Sequence, residues 1–142
     1  MVTGSQNIQY NTSNNSKIYN INVEIGNKNI SNLTSLSFSS YDDLISGSKR
    51  KRYPDYGLRN EYVKRDNQND TDIIIENPNP NKQVESGYSQ LNFIKKINIK
   101  INDLSNIIYG IYYSRSSNIP RYDRLIIYDD IFNPKYAEWF YG

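Results

Sequence analysis

Apolar and polar positions begin to alternate shortly after residue 16. Tyr19, Ile21, Val23 and Ile25 fall on one side of an extended chain, with Asn20, Asn22 and Glu24 on the other. This period of two predicts a half-buried β-strand over 17–25. Gly26-Asn27 supplies a turn dipeptide able to take positive φ, and Lys28-Asn29-Ile30 then starts a partner strand, so a hairpin is expected here. Leu36 and Phe38 against Ser35, Ser37 and Ser39 extend the pattern over 34–39. Residues Tyr41 to Gly47, with Ser40 as a cap and Gly47 as a stop, predict one helical turn.

Periodicity is lost from 48 to 65 and returns briefly at Ile73-Ile74-Ile75, which predicts a short strand. Asn77-Pro78-Asn79-Pro80-Asn81 follows as an extended or turning loop, because proline cannot donate to a ladder. The strongest alternation spans 91–101, with Leu91, Phe93, Ile97, Ile99 and Ile101 on one face and Asn92, Lys96, Asn98 and Lys100 on the other. Ile94 and Lys95 break it and mark a candidate bulge. Ile107 to Tyr113 is apolar on both faces, the pattern of a central buried strand. Residues 124–128 predict a further strand, and Asn133-Pro134 opens a capped helical turn over 134–141.

These elements predict a mostly β fold: a single antiparallel β-sandwich or partly open barrel, with short helical turns near 41–47 and 134–141. Ile21, Val23, Phe93, Ile97, Ile99 and Ile126 are its expected core. Residues 1–16, polar and rich in Asn and Ser, are expected to form a flexible arm. Residues 17–142 are expected to form one domain, with long loops at 48–65 and 66–90 and an aromatic C-terminal tail.

Composition sharpens this picture. The 142 residues include no histidine, no cysteine and fourteen tyrosines, and Ala137 is the only alanine. Alanine favours helices, whereas Ile and Tyr suit pleated surfaces, so the balance supports strands. The apolar fraction of 37% and mean hydropathy of −0.78 leave few residue types to build a core. Asn, Ile, Tyr and Lys are also what AT-rich codons encode, so their excess alone does not decide between codon bias and a role in function. Seventeen basic and fifteen acidic residues net only +2, so no global field steers the chain to nucleic acid. Met1 to Ser16 has neither the basic nor the apolar region of an export signal, and 107–113 is far short of the roughly 20 residues of a spanning helix. Neither export nor membrane insertion is expected, and the compartment is left open.

The missing histidine and cysteine remove the usual neutral-pH base, the thiol nucleophile and the soft metal ligands. Asp42/Asp43 and Asp129/Asp130 are adjacent pairs, which point to opposite faces of an extended chain and so suit acid–base work poorly. Asp66 to Asp72 places oxygen ligands at alternate positions like a calcium loop. Thr71 stands where that loop needs glycine, however, and Asn77 where it needs a bidentate glutamate. No catalytic site, cofactor or metal is therefore expected.

Two clusters point to binding instead. Lys49, Arg50, Lys51, Arg52, Arg59, Lys64 and Arg65, interleaved with Tyr53, Tyr56 and Tyr62, combine phosphate-neutralising cations with rings able to stack on unpaired bases. Tyr136, Trp139, Phe140 and Tyr141 crowd the C-terminus, and the first three at i, i+3 and i+4 would form one apolar stripe on a helical turn. The leading expectation is a non-enzymatic structural or adaptor subunit of a larger protein assembly, a virion or similar particle among them. It would meet homo- or hetero-oligomeric partners through the arm and the tail. A single-stranded nucleic-acid-binding domain using 49–65 is the alternative, and a carbohydrate-binding module the third class.

Overall fold

The computed structural model describes residues 1–49 and 53–141. The chain is mostly β. Its elements are β1 (Val2–Asn11), β2 (Ser16–Gly26), β3 (Ile30–Tyr41), β4 (Leu44–Ile45), β5 (Glu61–Asp66), β6 (Thr71–Glu76), β7 (Lys82–Gln83), β8 (Tyr88–Lys100), β9 (Asn106–Ser116) and one helical turn, α1 (Tyr122–Leu125). They form a five-stranded sheet of order β1-β2-β3-β8-β9 and two two-stranded ribbons, β4-β7 and β5-β6. Two compact units result. One holds 1–11, 16–40 and 89–117; the other holds 12–15, 41–88 and 118–142.

The five-stranded sheet is antiparallel throughout. β1 pairs with β2 from Val2↔Ile25 to Asn11↔Ser16, and β2 with β3 from Lys17↔Ser40 to Gly26↔Ser31. β8 pairs with β9 from Gln90↔Ser116 to Lys100↔Asn106. β3 and β8 are tied where the Lys100 N–H donates to the Asn29 carbonyl at 2.7 Å and the Lys95 Nζ donates to the Thr34 hydroxyl at 3.1 Å. The expected hairpin is present, but Gly26 takes no positive φ. The Asn27 side chain makes the turn instead, accepting from the N–H groups of Asn29 and Ile30, both at 2.9 Å.

Several expectations are corrected. Residues 2–11 form a strand rather than an arm: every residue of β1 has a partner on β2, and the turn at Thr12 to Asn15 closes with Asn15 at φ 44°. Ile94 and Lys95 form no bulge, because the β8–β9 register runs unbroken through them. Ile107 to Tyr113 lies in an edge strand, β9, whose eleven residues are all exposed, and not in a buried central one. The helical turn expected near 41–47 is absent. Asp43 instead accepts from the N–H groups of Ser86 and Gly87 at 2.8 and 3.0 Å, and Leu44 and Ile45 join the β4–β7 ribbon.

No helix forms at 134–141 either, because the backbone there bonds to distant segments. Arg121 N–H donates to Trp139 O, Lys135 N–H to Ile127 O, and Tyr141 N–H to Ile119 O. The strand expected over 124–128 gives way to α1 and the turn after it. In the second unit, Val63, Leu125 and Ala137 are buried at 3%, 2% and 7% exposure, and Pro134 is buried with them. The expected core is not buried: Ile21, Ile99 and Ile126 are exposed, and Val23, Phe93 and Ile97 only half-buried.

Candidate interaction surface

Register places the side chains of the sheet on two unlike faces, since directly paired residues share a face. Val2, Gly4, Gln6, Ile8 and Tyr10 of β1 lie with Ile25, Val23, Ile21, Tyr19 and Lys17 of β2. The same face takes Asn32, Thr34, Leu36, Phe38 and Ser40 of β3. The contact of Lys95 with Thr34 carries it on to Leu91, Phe93, Lys95, Ile97 and Ile99 of β8, which pair with Arg115, Tyr113, Ile111, Tyr109 and Ile107 of β9. The opposite face is mostly polar on β1 to β3, with Thr3, Ser5, Asn7 and Gln9 beside Glu24, Asn22 and Asn20 and then Ser35, Ser37 and Ser39, and Ile18 and Leu33 as its apolar members.

The apolar face is open. Ile8 is 69% exposed, Ile21 52%, Leu36 44%, Phe38 41%, Tyr109 58% and Tyr113 49%. Soluble monomers seldom present an apolar patch beyond a few hundred Å². Strands of ten to thirteen residues, five abreast, cover about 24 by 33 Å, roughly 800 Å². The face bears cations (Lys17, Lys95 and Arg115) and no carboxylate. A depression of about 670 Å³ is lined in part by Thr3, Glu24, Leu33, Lys96, Asn98 and Ile108, residues of the polar face and of β9.

The basic cluster is dispersed. Arg50, Lys51 and Arg52 lie outside the described residues. Lys49, Tyr53, Tyr56 and Lys64 are exposed. Arg59, expected as a nucleic-acid contact, is buried at 3% exposure. Its guanidinium donates to the carbonyls of Val84 at 2.8 Å, Leu125 at 2.9 Å and Glu61 at 3.3 Å, and lies over the Tyr122 ring. Its donors are spent inside the unit, which corrects that expectation. Burial also raises the Tyr122 hydroxyl pKa, against the lowering influence of Arg59. Arg65 pairs with Asp70 and Asp72 at 2.6 and 2.9 Å.

The acidic run 66–72 builds the β5–β6 turn. The Asp66 carboxylate accepts from the Asn69 side chain at 2.7 Å and the Gln68 N–H at 3.0 Å, and those bonds hold it below the ordinary aspartate range. Asp43 pairs with Lys82 at 3.2 Å, and Asp129 caps the turn at 131–133. Among the described residues no group of three acidic side chains is placed to hold a metal, and no helix is long and apolar enough to cross a membrane.

The tail lies against residues of its own unit. Pro134 and Ala137 are buried, Tyr136 and Trp139 meet edge to face at 5.0 Å, and Arg124 and Arg121 lie over the rings of Trp139 and Tyr141. Trp139, Phe140 and Tyr141 remain 38%, 37% and 60% exposed. Reasoning from the sequence alone passed over the N-terminal strand and the sheet face. The signal for both was the even-numbered series Val2, Ile8 and Tyr10, which continues the apolar side of β2. No protein-family model, curated protein or solved structure matches the chain.

Proposed function

We propose that this chain is a non-enzymatic structural or adaptor subunit that works inside a larger protein assembly. The observation that carries this reading is the apolar sheet face. The whole face, apolar and polar positions together, spans about 800 Å² per copy, so two such faces in contact would bury about 1,600 Å², the standard size of a specific protein interface. Ile, Leu, Phe and Tyr make up most of it, held on a backbone ladder with Lys17, Lys95 and Arg115 among them, a form that suits permanent contact better than transient capture. The half-open rings of Trp139, Phe140 and Tyr141 provide a second, smaller contact.

Light scattering on the full chain over a range of concentrations tests the reading. The expected mass is a multiple of 16.6 kDa. Replacing Leu36 and Phe38 by lysine should lower it by putting two ammonium groups on the covered face. A protein that stays at 16.6 kDa at every concentration overturns the proposal.

A further inference from the structure

We propose that β9 pairs antiparallel with β9 of a second copy of this chain, about a two-fold axis at Ile111, joining two five-stranded sheets into one of ten strands. This rests on the subunit reading and names the partner for one edge of the sheet. β9 has the composition of a central strand in the position of an edge. Ile107, Tyr109, Ile111 and Tyr113 stand on one face and Ile108 and Tyr112 on the other, 42% to 71% exposed. From Asn106 to Ser114 it has no charge and no proline, the usual guards against strand addition.

The free backbone groups set the register. The Lys100 N–H turns towards β3, to Asn29 O, so Lys100 and Asn106 are a pair without mutual hydrogen bonds. Ser117 N–H donates to Ser89 O, in agreement with this alternation. The N–H and C=O groups of Asn106, Ile108, Gly110, Tyr112, Ser114 and Ser116 therefore point away from β8. With Ile111 on the axis, Asn106 meets Ser116, Ile108 meets Ser114 and Gly110 meets Tyr112. All eleven residues of each strand are then paired, and about twelve backbone bonds form between outward-pointing groups alone.

Side chains agree with this register. A Cβ on Gly110 would come within 3.0 Å of the Tyr112 ring, so that ring already lies over the bare backbone, and the register sets the partner's Tyr112 beside it. Arg115, the only charge on β9, faces Ile107 of the second copy, and the two arginines stay about 27 Å apart. A parallel in-register pairing would stack them.

The chain has no cysteine, so a single introduced thiol reports the register. Ile111→Cys meets its own copy across the axis at about 4.5 Å between Cα atoms, within disulfide reach. Tyr109→Cys lies about 13 Å from its copy. Under mild oxidation of the full chain, Ile111→Cys should form a covalent dimer and Tyr109→Cys should not. Ser114→Pro removes one outward N–H, and Ile108→Lys places a charge on the edge without touching the backbone. Each should abolish the Ile111→Cys cross-link. If Ile111→Cys stays uncrosslinked, or Tyr109→Cys links as readily, while the mass exceeds 16.6 kDa, the β9 pairing is wrong and the subunit reading stands. A mass of 16.6 kDa throughout overturns both.

Discussion

Arg59 shows how a residue type misleads until its surroundings are known. In the sequence it continues a run of cations; in the fold it joins three chain segments by donating to Glu61, Val84 and Leu125 carbonyls. Arg59→Ala would leave those acceptors unpaired in a buried site, and a loss of about 3 kcal/mol or more is expected in thermal unfolding. Arg59→Lys should not restore it, since one ammonium cannot reproduce a planar fork. Asp66 yields a prediction with a sign. Its folded pKa is depressed by Asn69 first and Gln68 second, so its contribution to the β5–β6 turn is present above the ordinary aspartate value and lost as pH falls through the folded one. A carboxyl-carbon titration should place its midpoint below 3.8, and a midpoint at or above that value would contradict the turn geometry.

At the scale of elements, alternation made β2, β3 and β8 legible to within a few residues, because a period of two is a local property of the chain. What alternation cannot tell is whether anything covers the apolar side. The expected core residues Ile21 and Ile99 lie on the apolar face that alternation predicts, but that face is open. β1 was missed because Gln6, Asn7 and Gln9 dilute its pattern; its ladder to β2 makes it a strand. The helical turns at 41–47 and 134–141 had sound local signals, Ser40 with Gly47 and Asn133 with Pro134. Both lost to bonds such as Ser86 and Gly87 with Asp43, Arg121 with Trp139 and Tyr141 with Ile119, which no window of ten residues contains. Glycine at 87 belongs with them, since a Cβ there would sit 2.8 Å from Tyr41 O. The two clusters singled out for binding were visible as clusters only: burial of Arg59 and docking of the tail depend on residues far along the chain.

The tail then supports a prediction. Pro134 and Ala137 are buried, and three backbone bonds tie 135–141 to 119–127. Deleting 134–142 should speed amide exchange across 119–127. Unchanged protection there would return the tail to the role of a free docking segment.

Across the whole molecule, burial is unevenly shared between the two units. Leu125 is 2% exposed and Ile99 41%, although both are aliphatic. Leu125→Ala should cost about 2–5 kcal/mol. In dilute solution Ile99→Ala should cost about 1 kcal/mol or less. Equal losses in thermal unfolding would mean the sheet face is covered within the single chain. The count of strands in that sheet also decides how it can grow. Five antiparallel strands make β1 and β9 run in the same direction, so sliding one copy alongside another would set β9 against β1 in parallel. Turning the copy over to restore antiparallel pairing would put its apolar face on the wrong side. Only like edges, β9 with β9 or β1 with β1, keep both the antiparallel ladder and one continuous apolar face. An odd strand number thus makes the sheet non-repeating by translation: growth through β9 stops at two copies, each of which then carries β1 as its outer edge.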